Sequence, residues 1–135
     1  MIESEKGAAA SFLELSPALR SELLKGVNEG DRDPWTDGST IARYITELAE
    51  EDIQSSELEA ILDHIEVLLS DTSRTWMRRW IKVAIFESVQ NRVANERLAG
   101  DRIVKAEAIY KHLGKDSQGA WRELNNEWGN SVDTA

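Results

Sequence analysis

Cysteine is absent from this 135-residue chain, and no long stretch of it is uniformly apolar. The lack of cysteine excludes disulfides, thiolate metal sites and cysteine nucleophiles, and it is typical of cytoplasmic proteins. A membrane helix needs roughly 20 consecutive apolar residues, and nothing in the chain approaches that length. The N-terminal residues include acids and lack the apolar stretch of a signal peptide. We therefore expect a cytoplasmic protein that makes no membrane contact.

Basic residues are missing from a long central stretch. No Lys or Arg occurs from Tyr44 to Ser73, although nine acids lie there. Residues 1–70 carry 16 acids and 5 bases, a net charge of −11, whereas residues 71–135 carry 9 acids and 11 bases, a net charge of +2. Nucleic-acid binding requires a basic footprint, so this balance argues against a nucleic-acid partner. A negative surface fits a basic protein partner, or it serves solubility alone.

Histidine is scarce, and the motifs of metal and phosphate sites are missing. His64 and His112 have no second ligand at metal-binding spacing, and no glycine-rich phosphate loop occurs. We expect His64 on a solvent-facing flank and His112 bonded to a carbonyl in the last turn of its helix. Most serines stand at predicted helix caps, and none lies in a nucleophile-elbow motif. The sequence therefore predicts neither an enzyme nor a cofactor or metal site.

Strand patterns are absent, and apolar residues recur at helical spacing through most of the chain. This predicts an all-α fold of about six antiparallel helices, beginning near residues 16, 39, 56, 72, 101 and 117. The fourth, near residues 72–98, is apolar around nearly its whole circumference and should lie at the centre. The helices form either a short superhelix similar to HEAT or armadillo repeats, or an irregular bundle.

The same pattern sets the expected domain boundaries and caps. Residues 16–129 should form a single domain, residues 1–15 a weakly ordered segment or short helix, and residues 130–135 a loose tail. Ser16 precedes a proline and should cap the first clear helix. Ser56 and Glu59 have capping-box spacing and should begin the third helix. Residues 30–39 read as a loop that contains Trp35.

Aromatic and basic residues alternate at the start of the fourth helix, where Trp76 and Trp80 flank arginines. Such alternation is typical of nucleic-acid surfaces. Because this helix is apolar on most sides, we instead expect both tryptophans mainly in the core. The three bases Arg78, Arg79 and Lys82 should then form a seam that faces acids of the preceding helix: Glu59, Asp63 and Glu66.

The C-terminal part "KAEAIYKHLGKDSQGAWRELNNEWG" follows a helix "LEAILDHIEVLLSD" and a longer central helix. Over residues 35–129 this order resembles a family of small bacterial all-helical domains of unknown function. The residues that carry the resemblance are Ile65-Glu66, Tyr110, Leu113-Gly114 and Trp121. Such domains resemble the small acidic immunity proteins encoded beside secreted toxins. The resemblance implies no catalytic residues.

Charge and resemblance together predict a protein-binding protein, most specifically a bacterial immunity protein that neutralises a basic toxin domain through an acidic surface. The predicted partner-binding residues are Glu47, Glu50, Glu51, Asp52, Glu57, Glu59, Asp63 and Trp35. The alternative is a helical-repeat scaffolding or regulatory module that binds its partner through exposed tryptophans, since aromatics concentrate at interface hot spots. Its candidate residues are Trp35, Trp121 and Trp128.

Overall fold

The computed structural model describes residues 2–27, 31–71, 73–99 and 106–128, and the predicted all-α class is confirmed. No strand occurs in these ranges. The helices are α1 (Glu5–Ala10), α2 (Pro17–Leu24), α3 (Pro34–Glu51), α4 (Ser56–Leu69), α5 (Thr75–Trp80), α6 (Glu87–Ala99), α7 (Ala106–Lys111) and α8 (Lys115–Trp128). None of the helices in the described ranges is long and apolar enough to cross a membrane.

The N-terminal segment packs into the core. After α1, a 3₁₀ turn spans Ser11–Glu14, and its Phe12 is fully buried. Ser16 then caps α2 by accepting a hydrogen bond from the Leu19 N–H at 3.0 Å, as its position before Pro17 predicts. The apolar residues of this segment therefore contribute to the same core as the rest of the chain.

One helix start and one helix cap differ from expectation. The predicted loop over residues 30–39 is wrong, because α3 begins at Pro34, where Asp33 accepts hydrogen bonds from the N–H groups of Trp35 and Thr36. Helix α4 is capped by Ser55 and not by Ser56: the Ser55 hydroxyl accepts a bond from the Leu58 N–H at 3.3 Å. In both places a side-chain oxygen upstream of the predicted cap accepts hydrogen bonds from the free N–H groups in the first turn of the helix.

The predicted central helix is present and buried. Helices α5 and α6 join through a π-helical segment, Ile81–Phe86, so that one helical stretch runs from Thr75 to Ala99. The predicted start at Thr72 lies outside the described residues. Most of its large apolar side chains are fully buried, including Trp80, Ile81, Ile85, Phe86 and Val93. This helical stretch is thus buried on most sides, as its composition predicts, and Arg79 and Val83 are exposed.

Helix α3 packs against this central stretch at unusually short range. The Trp80 indole N–H donates to the carbonyl of Pro34 at 3.1 Å. One turn further along both helices, Gly38 lies directly on Ala84: a Cβ on Gly38 would stand 2.9 Å from the Ala84 carbonyl oxygen. These two contacts show that α3 and the central helix run in the same direction here.

The last two helices close the core. Trp121 of α8 is fully buried, with its ring centroid 5.5 Å from that of Phe86 and 6.4 Å from that of Tyr110. Helix α8 begins at Lys115, two residues before the predicted cap Ser117. The predicted helix start at Asp101 and the predicted tail at residues 130–135 lie outside the described residues.

Candidate interaction surface

The C-terminal end of α3 carries a group of acids. Glu51 and Asp52 are exposed, and Glu50 is half-buried. In the part of the chain that the structure describes, neither Glu50 nor Glu51 has an ion pair or hydrogen-bond partner, and Asp52 accepts only a local bond from the Gln54 N–H at 2.9 Å. Glu47, one turn earlier, is paired with Arg43 at 3.3 Å. The last turn of α3 holds no base, so these negative charges stand at the negative end of the helix dipole.

Glu57 is occupied inside the fold. Its Oε2 accepts hydrogen bonds from the hydroxyls of Ser16 and Tyr44, both at 2.6 Å. Burial and the negative Glu57 carboxylate raise the pKa of Tyr44 to about 12, so the phenol remains a donor at all ordinary pH values. This carboxylate therefore joins α2, α3 and α4. Unlike the Glu51 carboxylate, which has no partner among the described residues, it is engaged within the fold.

Glu59 and Asp63 lie on a different flank of α4. Both are exposed and one turn apart. Because successive residues of an α-helix are rotated by about 100°, Glu59 points roughly 200° away from Glu57. The structure therefore divides the predicted acidic residues into two groups: an α3-end group of Glu50, Glu51 and Asp52, and an α4 pair of Glu59 and Asp63.

Glu66 lies on the same flank of α4 as Glu59 and Asp63, but its carboxylate contacts α8. Its carboxylate accepts bonds from the backbone N–H groups of Asp116 and Ser117, at 2.9 and 2.8 Å, and from the Ser117 hydroxyl at 2.8 Å. Partial burial would raise the pKa of Glu66, but the hydrogen bonds from Asp116 and Ser117 outweigh it and hold the pKa below its usual range. Glu66 thus caps the start of α8.

The predicted seam between the basic residues of the central helix and the acids of α4 is wrong. Arg78 donates through Nε and Nη2 to Glu123 of α8, at 3.1 and 2.5 Å, and Lys82 pairs with the same carboxylate at 3.3 Å. Arg79 is exposed. The acid that faces these bases comes from α8, which lies along the central helix, while Glu66 is engaged at the start of α8.

The tryptophans divide between core and surface. Trp80 is fully buried and Trp76 is half-buried, which agrees with a mainly structural role for both. Trp121 is also fully buried and is therefore not accessible to a partner. Trp35 is 39% exposed in the first turn of α3. The side chain of Trp128 lies outside the described residues, so Trp35 is the accessible candidate of the three in the described part.

The two histidines bond within the fold. The expectation for His64 is wrong: it is half-buried, its Nε2 lies 2.7 Å from the Ser11 hydroxyl, and its ring meets Phe12 edge-on at 4.8 Å. Since the Ser11 hydroxyl donates to the Ala8 carbonyl, Nε2 is the donor to Ser11. His112 bonds the Ala108 carbonyl at 2.9 Å, as predicted. Within the described ranges, no three His, Asp or Glu side chains group as metal ligands.

A buried ion pair was not foreseen from the sequence. Arg32 and Asp37 are both almost fully buried, with Nε and Oδ2 3.4 Å apart. At that separation they attract as charges without a well-aligned hydrogen bond, and burial raises the pKa of Asp37 despite Arg32. Charged residues in a polar segment do not follow the apolar spacing from which burial is predicted. Only the packing of α3 therefore reveals this pair.

The residues that carried the family resemblance meet in space. Gly114 leaves room for Glu66, whose carboxylate carbon would stand 2.5 Å from a Cβ at that position. Tyr110 packs near Trp121, so these residues cap and pack α8. The comparisons with curated proteins and with solved structures give no match. Residues 9–129 match the family described as Domain of unknown function (DUF7674), and the chain belongs to that family.

Proposed function

We propose that this protein binds a basic protein partner through the α3-end group, Glu50, Glu51 and Asp52, with the α4 pair as a secondary contact. The observation that carries the proposal is the position of these acids. A carboxylate in the last turn of a helix is unfavourable by roughly 0.3–1 kcal/mol, because it adds to the partial negative charge of the free carbonyls. No base in the described chain offsets Glu50 or Glu51.

A cationic partner would remove this unfavourable term. Lys or Arg side chains of a partner can bond both the carboxylates and the free carbonyls at the end of α3. Charge complementarity of this kind accelerates association and selects the partner more than it adds affinity. The proposed site is therefore a recognition surface and not a catalytic one.

The specific form of this proposal is an immunity protein that neutralises a basic toxin domain. The net charge of −9, the small helical domain and the absence of bases between residues 44 and 73 support it. Blocking a basic domain by covering its cationic surface requires no catalytic group on the inhibitor.

The test is the affinity for a basic toxin domain, which should be sought among the products of the neighbouring genes. Binding should weaken as salt rises, because exposed charges are screened within about 10 Å at 0.1 M salt. The Glu50→Lys/Glu51→Lys variant should weaken binding by about tenfold or more. Glu3→Lys/Glu14→Lys changes the net charge equally on the N-terminal segment and should have a much smaller effect. Equal losses in the two double variants, or affinity independent of salt, would contradict the proposal.

A second candidate function rests on Trp35. This residue is 39% exposed beside the buried core, as expected of an aromatic anchor for a scaffolding or regulatory partner. Trp35→Ala would then abolish binding while the Glu50→Lys/Glu51→Lys variant retains it. The opposite pattern supports the acidic surface.

A further inference from the structure

A cavity of about 360 Å³ lies between the C-terminal end of α4 and the first turn of α5. The described residues that line it are Leu68, Leu69, Asp71, Arg74, Thr75 and Arg78. Ligand pockets usually hold roughly 300–1,000 Å³ and combine apolar walls with a few convergent polar groups. This cavity meets both criteria, and it is separate from the acidic residues at the end of α3.

The apolar wall is built by the end of α4. Leu68 and Leu69 are buried against the core and still face the cavity with part of their surface. Apolar surface at a cavity is favourable to cover with an apolar group, because water leaves both surfaces. One part of a fitting ligand is therefore aliphatic or aromatic.

The polar wall offers hydrogen-bond donors that have no partner among the described residues. Arg78 bonds Glu123 through Nε and Nη2, which leaves Nη1. Arg74 bonds Asp71 through Nε and the Ile2 carbonyl through Nη1, which leaves Nη2. The Thr75 hydroxyl has no partner among the described residues. These three groups come from one turn of helix, so a single acceptor can reach more than one of them.

The acceptors of the lining are already engaged. Oδ1 of Asp71 accepts bonds from the Ser73 N–H at 3.1 Å and from the Ser73 hydroxyl at 2.5 Å. Oδ2 of Asp71 pairs with the Arg74 Nε at 3.2 Å. With its acceptors in use and its donors free, the cavity suits a ligand that brings acceptors, and a carboxylate matches arginine donors in geometry and charge.

We propose that this cavity binds a small monocarboxylate with an apolar body. The carboxylate accepts hydrogen bonds from Arg78, Arg74 and the Thr75 hydroxyl. The apolar body packs on Leu68 and Leu69. This binding is independent of the proposed protein partner, so either proposal can fail without the other.

Octanoate is a suitable probe, with octanol and octylammonium as controls that keep the tail and change the head group. Isothermal titration should show saturable binding of octanoate, and both controls should bind about tenfold more weakly or worse, because charge-assisted hydrogen bonds are lost. Amide resonances of Leu68, Leu69 and Thr75 should shift in NMR spectra. Equal affinities for octanoate and octylammonium, no saturable binding, or shifts confined to other regions would overturn the proposal.

Variants of the donors separate this site from general surface attraction. Arg78→Gln should weaken octanoate binding about tenfold. Arg79→Gln is the matched control, because Arg79 is exposed and does not line the cavity. Since Arg78 also contacts α8, Thr75→Val serves as a second variant that removes a donor at constant shape and should weaken binding as well. If Arg79→Gln weakens binding as much as Arg78→Gln, or if Thr75→Val has no effect, the assigned carboxylate contacts are wrong.

Discussion

The carboxylate of Glu66 accepts two hydrogen bonds from Ser117, one from its backbone N–H and one from its hydroxyl, both at 2.8 Å. These residues are 51 positions apart. A side chain of α4 therefore performs the capping that a residue just before α8 normally performs. The negative charge also lies at the positive end of the α8 dipole, where it is favourable.

Removing the charge of Glu66 should destabilise the protein. Glu66→Gln keeps the size of the side chain but replaces one acceptor oxygen with a donor amide that cannot bond the N–H groups of α8. We expect a loss of about 1–3 kcal/mol in the free energy of unfolding, measured by urea denaturation. Asp63→Asn, one turn earlier and exposed, should stay within about 0.5 kcal/mol of the parent. Similar losses in the two variants would show that the cap is not important.

Adding a methyl group at Gly38 should separate α3 from the central helix. The new Cβ would stand 2.9 Å from the Ala84 carbonyl oxygen, which is backbone and cannot rotate away. We expect Gly38→Ala to destabilise by about 1–3 kcal/mol, although alanine favours helix by about 1 kcal/mol.

Gly119→Ala is the matched control for this variant. It lies within α8, and its added Cβ would meet only the Arg78 guanidinium at 3.5 Å, an ordinary contact. Thermal unfolding should show a higher midpoint for Gly119→Ala and a lower one for Gly38→Ala. A higher midpoint for Gly38→Ala would mean that the two helices have room to separate.

Trp80 and Trp76 should differ in their contributions to stability. Trp80 is fully buried and bonds the Pro34 carbonyl, so Trp80→Ala should cost about 3–5 kcal/mol. Trp76 is half-buried, and Trp76→Ala should cost about 1–3 kcal/mol. Chemical denaturation measures both values. A loss below about 1 kcal/mol for Trp80→Ala would be incompatible with its burial.

His64 should make stability depend on pH below neutrality. Burial lowers the pKa of His64, so the unfolded chain binds a proton more readily than the folded one. The contribution of neutral His64 to stability is fully present above the pKa of histidine in the unfolded chain, about 6.5. It is lost as pH falls from there towards the lower pKa of His64 in the folded protein. For one proton the slope cannot exceed about 1.4 kcal/mol per pH unit.

Unfolding by urea at pH 7.5 and pH 5.5 measures this effect. His64→Gln, which cannot titrate, should lose less stability over this interval than the parent protein. His112→Gln retains His64 and should keep the pH dependence of the parent. If His64→Gln and the parent lose stability equally, the charge of His64 does not control this interval.

Helical periodicity in the sequence was sufficient to predict the helices themselves. The all-α class, the central position of the apolar helix and the Ser16 cap follow from spacing within a few turns of chain. The predicted start of α3 near Ser39 was wrong, because Asp33 caps a helix that begins at Pro34, and the cap of α4 is Ser55 and not the predicted Ser56. The surface exposure of Glu59 and Asp63 is also readable from their place on the flank of the α4 apolar stripe.

The sequence by itself determined which segments are helical and which faces are apolar, because neighbouring side chains along one helix decide both. Only the tertiary structure decided the partners of the polar groups: Glu66 with Ser117, Arg78 with Glu123 and His64 with Ser11. Each pair joins residues more than 40 positions apart. Several polar residues could have bonded the same group, and helix packing brought one of them within hydrogen-bond distance.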